Sequence, residues 1–80
     1  PDVVELLKVL LKRQSEKHGV AARLVASSAD IEAIASGDRE SPALTGWRGD
    51  MFGALALKLL DGQLALSLKN GSVELIEIDR

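Results

Sequence analysis

"QLALSLKNGSVELIEID", Gln63 to Asp79, is where the sequence changes period. Leu64, Leu66 and Leu68 recur at every second position, Val73 and Leu75 resume the alternation, and Asn70-Gly71 stands between the two runs. Asn-Gly is the strongest short hairpin signal, because both central residues of a type I′ turn need positive φ. A two-residue turn there pairs Leu68 with Val73 and Leu66 with Leu75, and predicts those four as the inward face. The same register sets Ala65 against Ile76 on the other face, so Ile76 and Ile78 are left for a neighbour or a partner. A lone hairpin is not stable in water and must lie on something. What precedes it is helical, so the expected fold class is α+β, about four short helices closed by a C-terminal β-hairpin, with residues 1–80 as a single domain.

Upstream, "DVVELLKVLLKRQSEKHG" (residues 2–19) reads as the most secure helix. Asp2 is the expected N-cap, with Glu5 three residues on completing a capping box. Val3, Leu6, Leu7, Leu10 and Leu11 follow helical spacing and predict one apolar stripe, which Val9 widens. Lys12, Lys17 and His18 suit the negative end of the helix dipole, and Gly19 suits a left-handed C′ position. Ser27 with Asp30 caps a second helix, "SSADIEAIASG" (residues 27–37), burying Ile31, Ile34 and Ala35. "DRESPAL" (residues 38–44) is a polar loop in which Pro42 holds Ser41 extended. Thr45 is the expected cap of a third helix, Gly46 to Phe52, which Gly53 breaks; "ALALKLLDG" (residues 54–62) forms a fourth, stopped by Gly62.

Composition narrows the chemistry. Eighty residues without cysteine exclude disulfides and thiolate metal sites, which fits a cytoplasmic setting. The one histidine, His18, has no second imidazole to share a zinc ion with, and no apolar run is long enough to span a bilayer, so no membrane role is expected. The chain opens on Pro1-Asp2 and leads straight into a helical pattern, so it reads as a piece of a longer protein. A formal net charge of −2 argues against strong non-specific binding to phosphate backbones. The charge is uneven, however. Residues 1–23 hold five basic groups against three acidic, whereas residues 24–80 hold five against nine. Any nucleic-acid face therefore belongs to the first helix, where Lys8, Lys12, Arg13 and Lys17 form a basic row, with Arg48 as a further candidate.

No catalytic residue and no metal ligand can be assigned. Asp30-Ile31-Glu32 has the form of the D-x-E with which metal-dependent nucleases begin a carboxylate set, but side chains two apart diverge on a helix. His18 has neither a nucleophile nor an orienting partner nearby in sequence. The glycines of "GWRGDMFG" (residues 46–53) match no phosphate loop and read as caps and breakers of short helices. Trp47 and Phe52 are the only aromatic residues. A Trp-Arg pair can stack on nucleic-acid bases, but Leu44, Trp47 and Met51, extended by Phe52 and Leu55, have core spacing. Trp47, Met51 and Phe52 are accordingly expected as core anchors, with Arg48 outside.

The order of these elements resembles the C-terminal region of ribonuclease D of the alphaproteobacterial type. The resemblance is carried by Gly19, Val20, Ala21, Ala26, Ser27, Asp30, Glu32, Gly46, Trp47, Arg48, Phe52 and Gly53, and spans nearly the whole chain. It implies a parent with a two-metal 3′–5′ exoribonuclease domain, followed by helical domains of the HRDC type, of which this chain is the last. The two divalent metal ions and the catalytic carboxylates would belong to the nuclease domain. This segment would then be non-catalytic, assisting the binding or presentation of RNA such as tRNA precursors. The alternative is a protein-contact module that docks on the nuclease domain or self-associates through Ile76 and Ile78. Two features depart from the family pattern: Gly49 and Ala54-Leu55 stand where relatives more often carry charge, and the hairpin is foreign to a plain HRDC bundle.

Overall fold

The computed structural model describes residues 1–79. Helix α1 (Asp2–His18) is followed by a single turn, α2 (Ala22–Val25), and by α3 (Ser28–Ala35). A 3₁₀ turn (Pro42–Leu44) leads into three consecutive helical segments: an α turn (Gly46–Arg48), a π segment (Gly49–Gly53) and a second α run (Ala54–Leu60). These three form one rod, here called α4, because Arg48, Gly49, Gly53 and Ala54 all keep right-handed helical angles. Strands β1 (Leu64–Lys69) and β2 (Ser72–Glu77) complete the α+β architecture of four helices and a hairpin.

Local chemistry explains most of the boundaries. Helix α1 starts at its apparent cap, Asp2, one residue earlier than expected, with Pro1 at the N-cap and no side-chain cap bond. The expected Asp2–Glu5 box therefore does not form: Asp2 lies inside the first turn and accepts from the Val3 amide. The C-terminus ends as expected on Gly19 at φ 69°. At α3 the capping box is complete, with Ser27 Oγ accepting from the Asp30 amide (3.1 Å) and Asp30 Oδ2 accepting from the Ser27 amide (2.9 Å). Ser41 is extended and its Oγ accepts from the Ala43 amide, so Pro42 opens a 3₁₀ turn instead of a plain loop.

Gly53 does not break the helix. A Cβ on Gly53 would lie 2.7 Å from Leu44 Cα and closer still to the Ala43 carbonyl oxygen, and one on Gly49 would lie 2.6 Å from the Leu44 carbonyl oxygen. Real Cβ contacts do not come so close. The two glycines, four apart on one face of the rod, let the helix backbone rest on the backbone of the 3₁₀ turn. Gly49 is thus a contact surface. The π turn beside this contact is braced from α1: Gln14, 3% exposed, donates from Nε2 to the Met51 carbonyl oxygen.

The core is formed by Leu7, Leu10 and Leu11 of α1 with Val25, Ile31, Ile34, Met51, Phe52 and Leu64. Phe52 is wholly buried, whereas Trp47 is 49% exposed. The expectation of Trp47 as a core anchor is corrected here. The side of α4 marked by Gly49 and Gly53 is covered by the Ala43–Leu44 backbone, and Trp47 lies on the outer part of the rod's first turn. Val3, Leu6 and Val9 also stay over 40% exposed, so the buried stripe of α1 is narrower than its leucine spacing suggests.

The hairpin has the expected register, Leu68 with Val73, Leu66 with Leu75 and Ala65 with Ile76, around Asn70 (φ 53°) and Gly71 (φ 80°). Its base sits on the helices through Leu64, Leu66 and Leu75. Leu68, expected inside, is 72% exposed, because the tip of the hairpin is parted from α1 by an open groove and no helix among the described residues covers it. Lys58 of α4 ties the base down through Glu77 at 3.1 Å.

Candidate functional site

The structure divides the basic row of α1. Lys12, Arg13 and Lys17 line an open groove of about 480 Å³ with Val9 and Glu16 on the helix and Gly71, Ser72 and Val73 at the hairpin tip. The groove exists because the hairpin tip stands opposite the C-terminal half of α1 without closing on it. Lys12 and Lys17 are exposed, while Arg13 is half-buried and its Nη1 donates to Gln14 Oε1 at 2.6 Å. Arg13 is therefore held by the same Gln14 that braces the π turn. Three cations and one carboxylate leave this groove with a positive surplus on an otherwise acidic chain.

Lys8 lies apart from this groove. It pairs loosely with Glu5 (3.8 Å) and lines two shallow depressions against the second and third helices. Arg48 is on a different element altogether. Its Nε donates to the Leu24 carbonyl oxygen at 2.9 Å, and its guanidinium carbon sits 4.4 Å from the centroid of the Trp47 ring. It is partly buried by these contacts, not fully outside as expected. Beside it Leu24 is 54% exposed, so Leu24, Trp47 and Arg48 form a second patch that the helical spacing of Trp47 concealed.

A third surface is apolar. Val3 and Leu6 of α1 overlook a small cleft of about 120 Å³ with Leu59 and Leu60 of α4. Ile76 is 42% exposed on the outer face of the hairpin and Ile78 is half-buried, its amide bonded to the Gln63 carbonyl oxygen.

Among the described residues no group of three or more His, Cys, Asp or Glu side chains gathers where a metal ion could be held. Asp30 spends its carboxylate on the α3 cap, and Glu32 points to solvent. His18 is exposed in the last turn of α1. No helix of the described residues is long and apolar enough to cross a membrane.

Comparison with known proteins agrees with the family resemblance. The chain is 46% identical over 78 residues to ribonuclease D of a Jannaschia species and 46% identical over 79 residues to ribonuclease D of Zymomonas mobilis, each match covering 98% of the chain. Ribonuclease D of Sphingobium indicum is 50% identical over 74 residues, 91% of the chain. The chain spans only about a fifth of the length of these relatives, 20%, 20% and 19% respectively. No family model matches it. No solved structure matches it significantly.

Proposed function

We propose that this chain is a non-catalytic, HRDC-like ancillary domain of a ribonuclease D, and that it helps to bind or present RNA, tRNA precursors among them, to a separate 3′–5′ exoribonuclease domain. The observation that carries the reading is the groove between α1 and the hairpin tip, where Lys12, Arg13 and Lys17 collect on one side of an acidic chain. Cations in such a row contact phosphates and set register without reading sequence. The hairpin, foreign to a plain helical bundle, supplies the groove's opposite wall. Catalysis, with its two divalent metal ions, belongs on this reading to the nuclease domain, in the cytoplasm.

The test is RNA affinity across a salt series for the wild type and a variant carrying Lys12→Gln, Arg13→Gln and Lys17→Gln. Each phosphate contact on a single strand contributes roughly 0.7 to the slope of log affinity against log salt, so losing three should flatten the slope by about 2. An unchanged slope would refute the groove. A tailed tRNA shortened by this chain in the presence of divalent metal would refute the non-catalytic role.

A second reading is favoured by a specific observation: Val3 and Leu6 remain exposed over the Leu59–Leu60 cleft. On that reading the domain docks on the nuclease domain or self-associates, through this face or through Ile76 and Ile78. Salt-insensitive association abolished by Leu6→Ser, with no RNA affinity, would select it.

A further inference from the structure

We propose that Trp47 and Arg48 form a stacking platform for an unpaired base of single-stranded RNA, a second contact beyond the groove that rests on the RNA-binding reading above. An indole left 49% exposed forfeits much of the stabilisation its burial would bring, in a chain that has no other Trp and no Tyr. The indole is half exposed and carries a cation over one face: the Arg48 guanidinium carbon lies over the ring, 4.4 Å from its centroid, so a base would stack on the other face. Arg48 is held in that place by its Nε–H bond to the Leu24 carbonyl oxygen, which leaves both Nη groups without a hydrogen bond among the described residues. Neither ion pair of the described residues, Lys8–Glu5 or Lys58–Glu77, includes Arg48. A flat apolar ring next to an uncompensated planar cation matches a ligand with a flat π-face and an adjacent negative charge, which is a nucleotide.

The platform is also fixed in space. Trp47 and Arg48 directly precede Gly49, and the Gly49–Gly53 face is pressed against the Ala43–Leu44 backbone. The ring therefore stands on a rigid corner and not on a loop, so little conformational freedom is lost on binding. A base inside a duplex is stacked on its neighbours and does not present its face, so the platform selects single-stranded RNA.

The lone tryptophan reports on its own site. The 80-residue chain is titrated with a single-stranded oligouridylate, a single-stranded oligoadenylate and a blunt RNA duplex, with Trp47 emission and binding followed together. Quenching by the single strands and not by the duplex is expected. Trp47→Ala should weaken single-strand binding roughly five- to 150-fold with the salt slope retained, while Trp47→Phe keeps most of the affinity. Arg48→Gln should lower the slope by about 0.7. A thermal melt establishes that each variant is folded; should Trp47→Ala unfold, the wild-type emission and Trp47→Phe decide the matter. If RNA binds through Lys12, Arg13 and Lys17 with Trp47 emission unchanged, the platform is overturned while the groove stands. Equal quenching by the duplex overturns it as well, and absence of any RNA binding overturns both.

Discussion

Replacing Gly53 by alanine separates two accounts of this residue that differ in sign. Its φ of −58° and ψ of −43° are ordinary helical angles, so helix propensity alone predicts that alanine stabilises the rod by roughly 0.5–1 kcal/mol. The packing predicts the reverse. A Cβ there would stand 2.7 Å from Leu44 Cα and 3.1 Å from the Ala43 carbonyl carbon, against an optimum of about 3.5–4.0 Å for carbon pairs. The obstructing atoms are backbone, which no rotamer change can move, so the rod and the 3₁₀ turn must separate by about 1 Å. Overpacking of this kind costs typically about 1–3 kcal/mol, and the upper end applies where no side chain can yield. Set against the propensity gain, the net loss should be about 2 kcal/mol. For a domain of this size that lowers Tm by roughly 8–16 °C. The assay is a pair of thermal melts followed by circular dichroism, with Ala54→Gly as the control: Ala54 is exposed and helical, so that change should show the propensity term alone, a loss of about 0.5–1 kcal/mol. A Gly53→Ala protein as stable as the wild type, or more so, would refute the close backbone contact.

Other expectations follow from the brace and the hairpin. Gln14→Leu should fill the space but leave the Met51 carbonyl without its donor, costing about 1–3 kcal/mol in urea unfolding, and it should also free the Arg13 guanidinium from its contact with Gln14 Oε1. Leu68→Thr should change stability by no more than about 0.5 kcal/mol, whereas Leu64→Ala, at the buried base of the same strand, should cost about 2–5 kcal/mol; comparable losses at both would mean that the tip is covered.

The elements that were legible in the sequence are those whose cause is local. The Ser27–Asp30 box, the left-handed Gly19 and the Asn70-Gly71 turn each involve residues within a few positions, and each is found where its spacing put it. The strand register followed from the turn alone. Burial was less legible, because periodicity gives a face but not how far the neighbours reach over it. Leu6 and Leu7 are adjacent in one apolar pattern, yet only Leu7 is covered. The same applies to Leu68, whose alternation is correct and whose end of the hairpin stands off α1 across the groove. Gly49 and Gly53 were misread for a related reason: a glycine in helical context marks either a break or a close approach, and only the position of the Ala43–Leu44 backbone decides between them. Trp47 was drawn into the core by the spacing it shares with Met51 and Phe52, but the π segment Gly49–Gly53 lies between them and shifts the helical phase, so Met51 and Phe52 are buried while Trp47 is left 49% exposed. Of the site, the basic character of α1 was visible in the sequence, but its division between the groove and the Lys8 side required the hairpin tip to be placed.

The glycine corner also bears on the order in which the chain assembles. Its contacts join residues 43–44 to residues 49–53, separations of only five to ten positions, so the loop it closes is short and loses little entropy on closing. The bond from Gln14 to Met51 closes 37 positions by comparison. On these separations the corner and the hairpin are expected to be fast, local steps of folding, and the docking of α1 on α4 a slower one. Folding kinetics should then show Gly53→Ala slowing folding and Gln14→Leu chiefly speeding unfolding; the opposite partition would refute this order.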